Sequence, residues 1–389
     1  MATTTMPGWT TTVTTEQTNE LAPHTVTDTQ VPHQLLSVAK RVDAKLESVL
    51  EAQHRHWAGV DTRVCEAVDE LRRMTMSGGK RLRAGFCYWS WRGAATLTGA
   101  ADRDGPDEDL IVDVGAAFEF LQVFALIHDD IMDNSATRRG ATTVHVANAR
   151  RLTDNGWHGE PRRYGEGVAI LVGDLGHVYA DQLTGRVNPA ARRIWDELRI
   201  ELNLGQYLDM RAAAAGELDH ETARQVATFK TALYTIVRPL QMGAALHPGL
   251  AETAPDLLNQ LDRFGRPLGQ AFQLRDDALG LTGDEEWLGK PVGDDLREGK
   301  PTEIVSYALD RATPAQRSVL DGIGRRDLSQ DEVEEIIVVL TDTGALDHNE
   351  REIRRLLDQA HAARRQLPFD EPSSDALAAL ADYVAIRDR

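Results

Sequence analysis

Two acid-rich stretches of this chain could do chemistry: His128-Asp129-Asp130-Ile131-Met132-Asp133 and, far downstream, Phe272-Gln273-Leu274-Arg275-Asp276-Asp277. Each sets carboxylates at the end of an apolar segment with helical patterning, where unpaired negative charge is expensive. On a helix Asp129 and Asp133 are i and i+4, so they share one face and repel unless a cation bridges them. Oxygen donors in this number, with no cysteine beside them and only His128 adjacent, suit Mg²⁺ that also coordinates substrate phosphates. A DDxxD on its own also fits a solvated helix face, but the apolar run Phe118 to Ile127 before it argues against that. In the second stretch the i+4 position is Gly280, so an ordinary polar helix end fits as well. Gln273, and Lys290 in the segment beyond, are polar groups that a ligand site would use.

Basic residues stand where phosphates would need them. Gly78-Gly79-Lys80-Arg81-Leu82-Arg83 is a glycine-opened turn leading into an apolar helix. Lys80 and Arg83 are i and i+3, and the backbone N–H groups of a helix start add to their pull on an anion. A helix-start charge cluster is the plainer reading of that block taken alone. Arg138-Arg139-Gly140 follows the first acidic stretch, and adjacent arginines beside a carboxylate–metal site suit a clamp on phosphate oxygens. Lys230-Thr231 lies inside an apolar helical stretch, where a lysine needs a partner.

The elements that carry these groups read as helices. From Leu35 the apolar spacing is helical, as in Val42, Leu46, Val49 and Leu50, and Ala, Leu, Glu and Arg dominate. Alternating Val/Ile/Thr runs with hairpin turns are scarce, so the expectation is one all-α domain over residues 35–389, preceded by a Thr-rich, disordered tail over 1–34. Leu152 to Gly167 carries turn residues and reads as a surface loop. Gly280 to Pro301, rich in Gly and charge, sits where a substrate lid belongs. Pro368 to Ser374 breaks the pattern before a last short helix.

Composition narrows the classes. Among 389 residues, 43 Lys and Arg stand against 61 Asp and Glu, a formal charge of −18, which disfavours nonspecific binding to nucleic acid or anionic lipid. Two cysteines, Cys65 and Cys87, are too few for a disulfide framework, so a reducing cytoplasm is expected. No run of the ~20 apolar residues that span a bilayer is evident, and the N-terminus has no signal-peptide pattern. The expectation is a cytoplasmic protein without a membrane span.

The blocks Gly78–Arg83, Glu119 to Asp133, Arg138-Arg139-Gly140, Val172-Gly173-Asp174, Gly205 to Asp209, Lys230-Thr231, Phe272–Asp277 and Gly289-Lys290-Pro291 occur in an order and spacing that resembles the trans-isoprenyl diphosphate synthases, over about Leu35 to Arg365. That resemblance implies an all-α isoprenoid synthase bundle with a central active-site cavity, and a homodimer. It implies that Asp129, Asp133 and Asp276 hold Mg²⁺, more than one ion, with Asp130 and Asp277 as supporting carboxylates. Lys80, Arg83, Arg139 and Gln122 match the isopentenyl diphosphate pocket. Arg138, Lys230 and Lys290 match contacts to the allylic diphosphate (dimethylallyl, geranyl or farnesyl), and Thr231 and Gln273 match residues against the reacting carbons. The chain departs from the family at Ala84, often Pro, at Gln122, often His, and at Gly280, which replaces the last Asp of the second motif. Asp284, Asp294 and Asp295 follow, and one of them is expected to compensate.

The implied reaction ionises the allylic carbon–oxygen bond and lets the double bond of isopentenyl diphosphate attack the cation. Below Asp129, helical turns give Ala125, Leu121 and Phe118, so the expected tunnel floor at Phe118 lies ~16 Å from the metal. Phe124 with Ala125 resembles geranylgeranyl-producing members; plain core aromatics are the alternative reading of Phe118 and Phe124. A C20 product is expected, with C15 as the alternative, and Phe118→Ala is expected to lengthen it. A class I terpene cyclase shares DDxxD and Mg²⁺ but needs no basic pocket of the Lys80/Arg83/Arg139 kind. A non-catalytic partner subunit would be expected to lose aspartates that this chain keeps.

Overall fold

Leu35, Val38, Val42, Leu46 and Leu50 recur at three- and four-residue intervals and form the buried stripe of α1 (His33–Ala58). The structure, a computed structural model, describes residues 31–98, 106–250, 254–283, 292–325 and 327–387. Residues 1–30, which hold most of the Thr-rich stretch, as well as Asp284 and Lys290, lie outside the described residues. After α1 come α2 (Cys65–Met76), α3 (Leu82–Leu97), α4 (Pro106–Asp133), α5 (Val144–Asp154), α6 (Pro161–Leu183), α7 (Pro189–Ala215) and α8 (His220–Val226). A π-helical segment (Ala227–Val237) leads into α9 (Arg238–Ala245) and α10 (Leu257–Thr282). Then follow α11 (Asp294–Glu298), α12 (Glu303–Arg311), α13 (Pro314–Leu320), α14 (Gln330–Asp342), α15 (Ala345–Arg364) and α16 (Glu371–Ile386).

Helix α4 is apolar on nearly every side, and Ile111, Val114, Phe118, Phe120, Leu121, Val123 and Ile127 are all buried. Contrary to the sequence reading, it is long and apolar enough to cross a membrane; here 72% of its most apolar stretch is buried inside the protein, as in a central core helix. It packs chiefly on α6, and small residues explain how closely. A Cβ on Gly176 would lie 3.2 Å from the Phe120 carbonyl oxygen. The second acid-bearing helix, α10, packs on α15 and on the π segment. One core surrounds α4 and a second surrounds α10, with a third, smaller cluster from Ala278 to Ala345 beside them.

The loop expected over residues 152–167 is mostly helix. Pro161 takes the first position of α6, Glu160 accepts hydrogen bonds from the Arg162 and Arg163 amides, and the intervening turn is only residues 155–160. Gly165 sits inside that helix, where a Cβ would fall 2.1 Å from the His145 carbonyl oxygen. Its glycine serves close packing rather than a turn. The strands among the described residues are the pair β1 (Thr137–Arg138) and β2 (Ala141–Thr142), antiparallel around Arg139 and Gly140 at φ 52° and 72°. The last helix, expected to be short, runs 16 residues from its Asp370 cap.

Candidate active site

Helix α4 ends on Asp129, Asp130 and Asp133, at the pole of the helix dipole that repels negative charge. Cations from elsewhere must offset this, and three do. Lys230 on the π segment donates to Asp129 at 3.1 Å and to Asp209 of α7 at 2.6 Å. Arg138 of β1 pairs with Asp130 at 2.6 Å and with Asp129 at 3.4 Å. Lys300, beyond the short α11, donates to Asp133 at 2.9 Å and reaches Asp295 at 3.5 Å and Glu298 at 2.6 Å. Burial favours the neutral form of Asp129, yet Lys230, Lys300 and Arg138 together hold its carboxyl well below the usual range. Burial pushes the Asp130 carboxyl up to about 6 despite Arg138.

The π segment widens the helix where Lys230, Thr231, Tyr234 and Thr235 face the cleft. Its neighbours are glycines by necessity. A Cβ on Gly205 of α7 would lie 2.8 Å from the Lys230 amide, and one on Gly269 of α10 would lie 2.4 Å from the Ala232 Cα. The Thr231 hydroxyl donates to Gln273 Oε1, and Gln273 Nε2 donates to Asp277 at 2.6 Å. Burial pushes the Asp277 carboxyl up to about 7.

Asp276, on the same turn of α10, pairs with Arg387 near the C-terminus, whose guanidinium lies 4.3 Å over the Phe272 ring. Gly280 leaves room that another acid uses: a Cβ there would stand 3.1 Å from Asp295 Oδ2. Asp295 therefore brings a carboxylate to the edge of the missing one, as expected of one of the three downstream acids.

The basic turn before α3 is held by a residue the sequence reading passed over. Arg81, at φ 52° and only 4% exposed, donates to Asp43 at 2.7 Å, Glu119 at 2.9 Å and the Thr75 carbonyl at 3.0 Å. Arg81 also lines the cavity, beside Lys80 and Arg83. Arg83 donates to Thr235 at 2.9 Å and lies 4.2 Å over the Tyr234 ring, and Arg139 donates to the Gly78 carbonyl. Lys80, Arg83, Gln122, Arg139, Ala125, Asp129, Thr231 and Asp276 line one cavity of about 580 Å³, the size of a small-molecule site. A second recess joins it through Lys80, Arg139, Lys230 and Asp276 and adds Arg138, Gln273, Asp277, Asp295 and Lys300. The two distant acidic stretches thus meet across one cleft.

The expected floor needs correction. Phe124 and Ala125 line the cavity with Leu202 of α7, but Phe118 and Leu121 do not. Both are fully buried in the core, and Phe118 packs edge-on to Trp195 at 5.5 Å. Counting helical turns could not show that Phe118 packs against Trp195 of α7 instead of facing the cavity. Lys300, Arg387 and Tyr234 also escaped the sequence reading, and Asp209 stood in a motif block without a role. Lys300 follows Gly299, whose φ of 72° marks a tight turn, and that glycine was the one local signal available.

Among the described residues no three acidic, His or Cys side chains converge tightly enough to cage an ion unaided. The donor set is nevertheless all carboxylate and opens on a cleft lined by Lys and Arg. That fits Mg²⁺, which binds through one or two carboxylates, waters and substrate phosphates rather than in an all-protein cage.

Comparison with known proteins agrees with this geometry. The family model described as polyprenyl synthetase matches residues 66–340. Geranylfarnesyl diphosphate synthase of Aeropyrum pernix is 31% identical over 321 residues, 80% of this chain and 91% of that protein. Octaprenyl diphosphate synthase of Escherichia coli K12 is 29% identical over 353 residues, 88% of this chain and 99% of that one. Geranylgeranyl pyrophosphate synthase of Corynebacterium glutamicum, solved with isoprenyl diphosphate and magnesium, superposes with a TM-score of 0.82 at 33% identity, covering 92% of this chain and 99% of that one.

Proposed function

Because the chain belongs to the polyprenyl synthetase family and is a trans-prenyltransferase, we propose that it joins isopentenyl diphosphate to allylic diphosphates and stops at the C20 product, geranylgeranyl diphosphate. The observation that carries this reading is that the acids Asp129 and Asp276, the basic Lys80, Arg83 and Arg139 and the small Ala125 all line one cavity.

Lys80, Arg83 and Arg139, with Gln122, bind the diphosphate of isopentenyl diphosphate. Lys230, Lys300 and Arg138 present positive charge to the allylic diphosphate. Asp129, Asp133 and Asp276 would hold magnesium, which when bound would supply the charge neutralisation that a departing diphosphate needs. The carbon–oxygen bond of the allylic partner breaks, and the isopentenyl double bond forms the new carbon–carbon bond at the cation. A proton then leaves with the released pyrophosphate. The linked Thr231 and Gln273 set oxygen dipoles beside the cation and keep water away from it. Phe124 and Leu202 wall the tail's path past Ala125 and end elongation.

The reading includes a homodimer. Ile170, Leu171 and Val178 on α6 are 45%, 64% and 49% exposed, and Ile200, Leu204 and Tyr207 on α7 are 60%, 52% and 64% exposed. Asp181 of α6 pairs with Arg192 and Arg199 of α7 at 3.0 and 3.1 Å, joining the two helices. An apolar surface of this kind suits a second copy.

The test is product analysis of the purified protein with dimethylallyl diphosphate, isopentenyl diphosphate and Mg²⁺. Geranylgeraniol after dephosphorylation is expected; farnesol or a longer alcohol as main product refutes the C20 assignment. Hydrocarbon released from geranylgeranyl diphosphate alone would indicate a cyclase instead.

A further inference from the structure

The wall of the cavity at Phe124 is backed by a residue from outside the cavity. Its ring stacks on His177 of α6 with centroids 5.0 Å apart and planes 25° apart, and meets the edge of His128 at 4.6 Å and 60°. His128 is itself anchored. Its Nε2 lies 3.1 Å from the Ile170 carbonyl oxygen, and its ring crosses Gly173, where a Cβ would stand 2.5 Å away. His177 Nε2 is buried without a hydrogen-bond partner, so the ring stack, not a polar contact at that nitrogen, meets Phe124 on this side. At Gly176 the α6 backbone comes close to α4: a Cβ there would lie 3.3 Å from Leu71 and 3.6 Å from the Phe124 amide.

We infer that His177, which does not line the cavity, is a positioning residue for product length. It backs the Phe124 ring and so keeps the wall of the tail cavity closed. Stacked and edge-on aromatic pairs resist displacement beyond their simple burial. Remove the imidazole, and space opens behind Phe124 into which the ring can turn, extending the cavity beside Ala125. The side chain never touches substrate, and its effect runs through Phe124 alone. This inference rests on the proposed reading that Phe124 bounds the growing tail.

The experiment compares products from dimethylallyl and isopentenyl diphosphates for Phe124→Ala, His177→Ala, His177→Phe and the double alanine variant, with melting curves for each. Phe124→Ala is expected to lengthen the main product by at least one isoprene unit, and His177→Ala to shift it the same way. His177→Phe, which keeps a stacking ring, should retain the wild-type length, and the double variant should run no longer than Phe124→Ala alone. His177→Gln serves as the ring-free variant should the alanine protein fail to fold. If Phe124→Ala lengthens the product while His177→Ala and His177→Gln leave it unchanged, the inference is overturned and the wall at Phe124 stands. Equal lengthening by His177→Phe and His177→Ala also overturns it. An unchanged product from Phe124→Ala defeats the wall itself, and the role of His177 with it.

Discussion

Replacing Arg81 with methionine tests whether the basic turn is built around a buried charge. Arg81 and Glu119 are each 4% exposed and pair at 2.9 Å, while the second oxygen of Glu119 has no hydrogen-bond partner. Burial works against the Arg81 charge, but Glu119 and Asp43 outweigh it and raise its pKa above the ordinary value. Asp43, with a side chain 43% exposed, can rehydrate when the guanidinium is lost, whereas Glu119 cannot. Methionine therefore leaves one buried carboxylate uncompensated, at a cost of ~3–5 kcal/mol. At ~2 °C per kcal/mol for a chain of this size, the melting temperature should fall by ~6–10 °C. The assay is thermal unfolding of the single variants and of Arg81→Met/Glu119→Leu. Removing both charges replaces a buried pair by apolar groups, which is often neutral or stabilising, so the double variant should recover most of the loss. A single-variant loss below ~1 kcal/mol, or a double variant worse than the sum of the two, would refute this account of the turn.

Phe118→Ala should cost ~3–5 kcal/mol of stability, read by urea unfolding, yet leave product length unchanged, because the ring packs on Trp195 outside the cavity. Ala125→Phe places a ring about one helical turn, ~6 Å, below Asp129 and should shorten the main product to C15 or less on chromatography. Gly243→Ala sets a Cβ 2.0 Å from the Cys87 carbonyl oxygen, a backbone clash between α9 and α3; soluble yield and melting temperature should both drop sharply. Lys300→Ala removes a cation shared by Asp133, Asp295 and Glu298 and should lower kcat/KM for the allylic substrate ~100-fold, about 2.7 kcal/mol, in steady-state kinetics.

What could be read from the chain alone was whatever depends on neighbours a few residues apart. Helical period placed Asp129 with Asp133, and the apolar run before them placed both at the end of a core helix, where α4 indeed ends. Residue type and order were enough to nominate Lys80, Arg83, Arg139 and Lys230, and the scarcity of strand signals matched the one short hairpin, around Arg139, among the described residues. Period failed where contact was decided by another helix. It put Phe118 and Leu121 beneath Asp129 on α4, but Phe118 packs on Trp195 of α7 and neither lines the cavity. The turn residues of 152–167 were misread because Gly165 answers to the His145 carbonyl across a helix pair, a constraint with no local signature.

The sequence by itself determined the helices, the acids at their ends and the family chemistry, since side-chain identity and a 3.6-residue repeat are properties of the local chain. Tertiary structure alone decided which cation meets which acid, Lys300 with Asp133 and Arg387 with Asp276, and set the Asp295 carboxylate against Gly280. Those pairs join residues more than a hundred positions apart, or from separate turns of a glycine-rich segment. Charge complementarity can choose such partners only after hydrophobic packing has brought their backbones together.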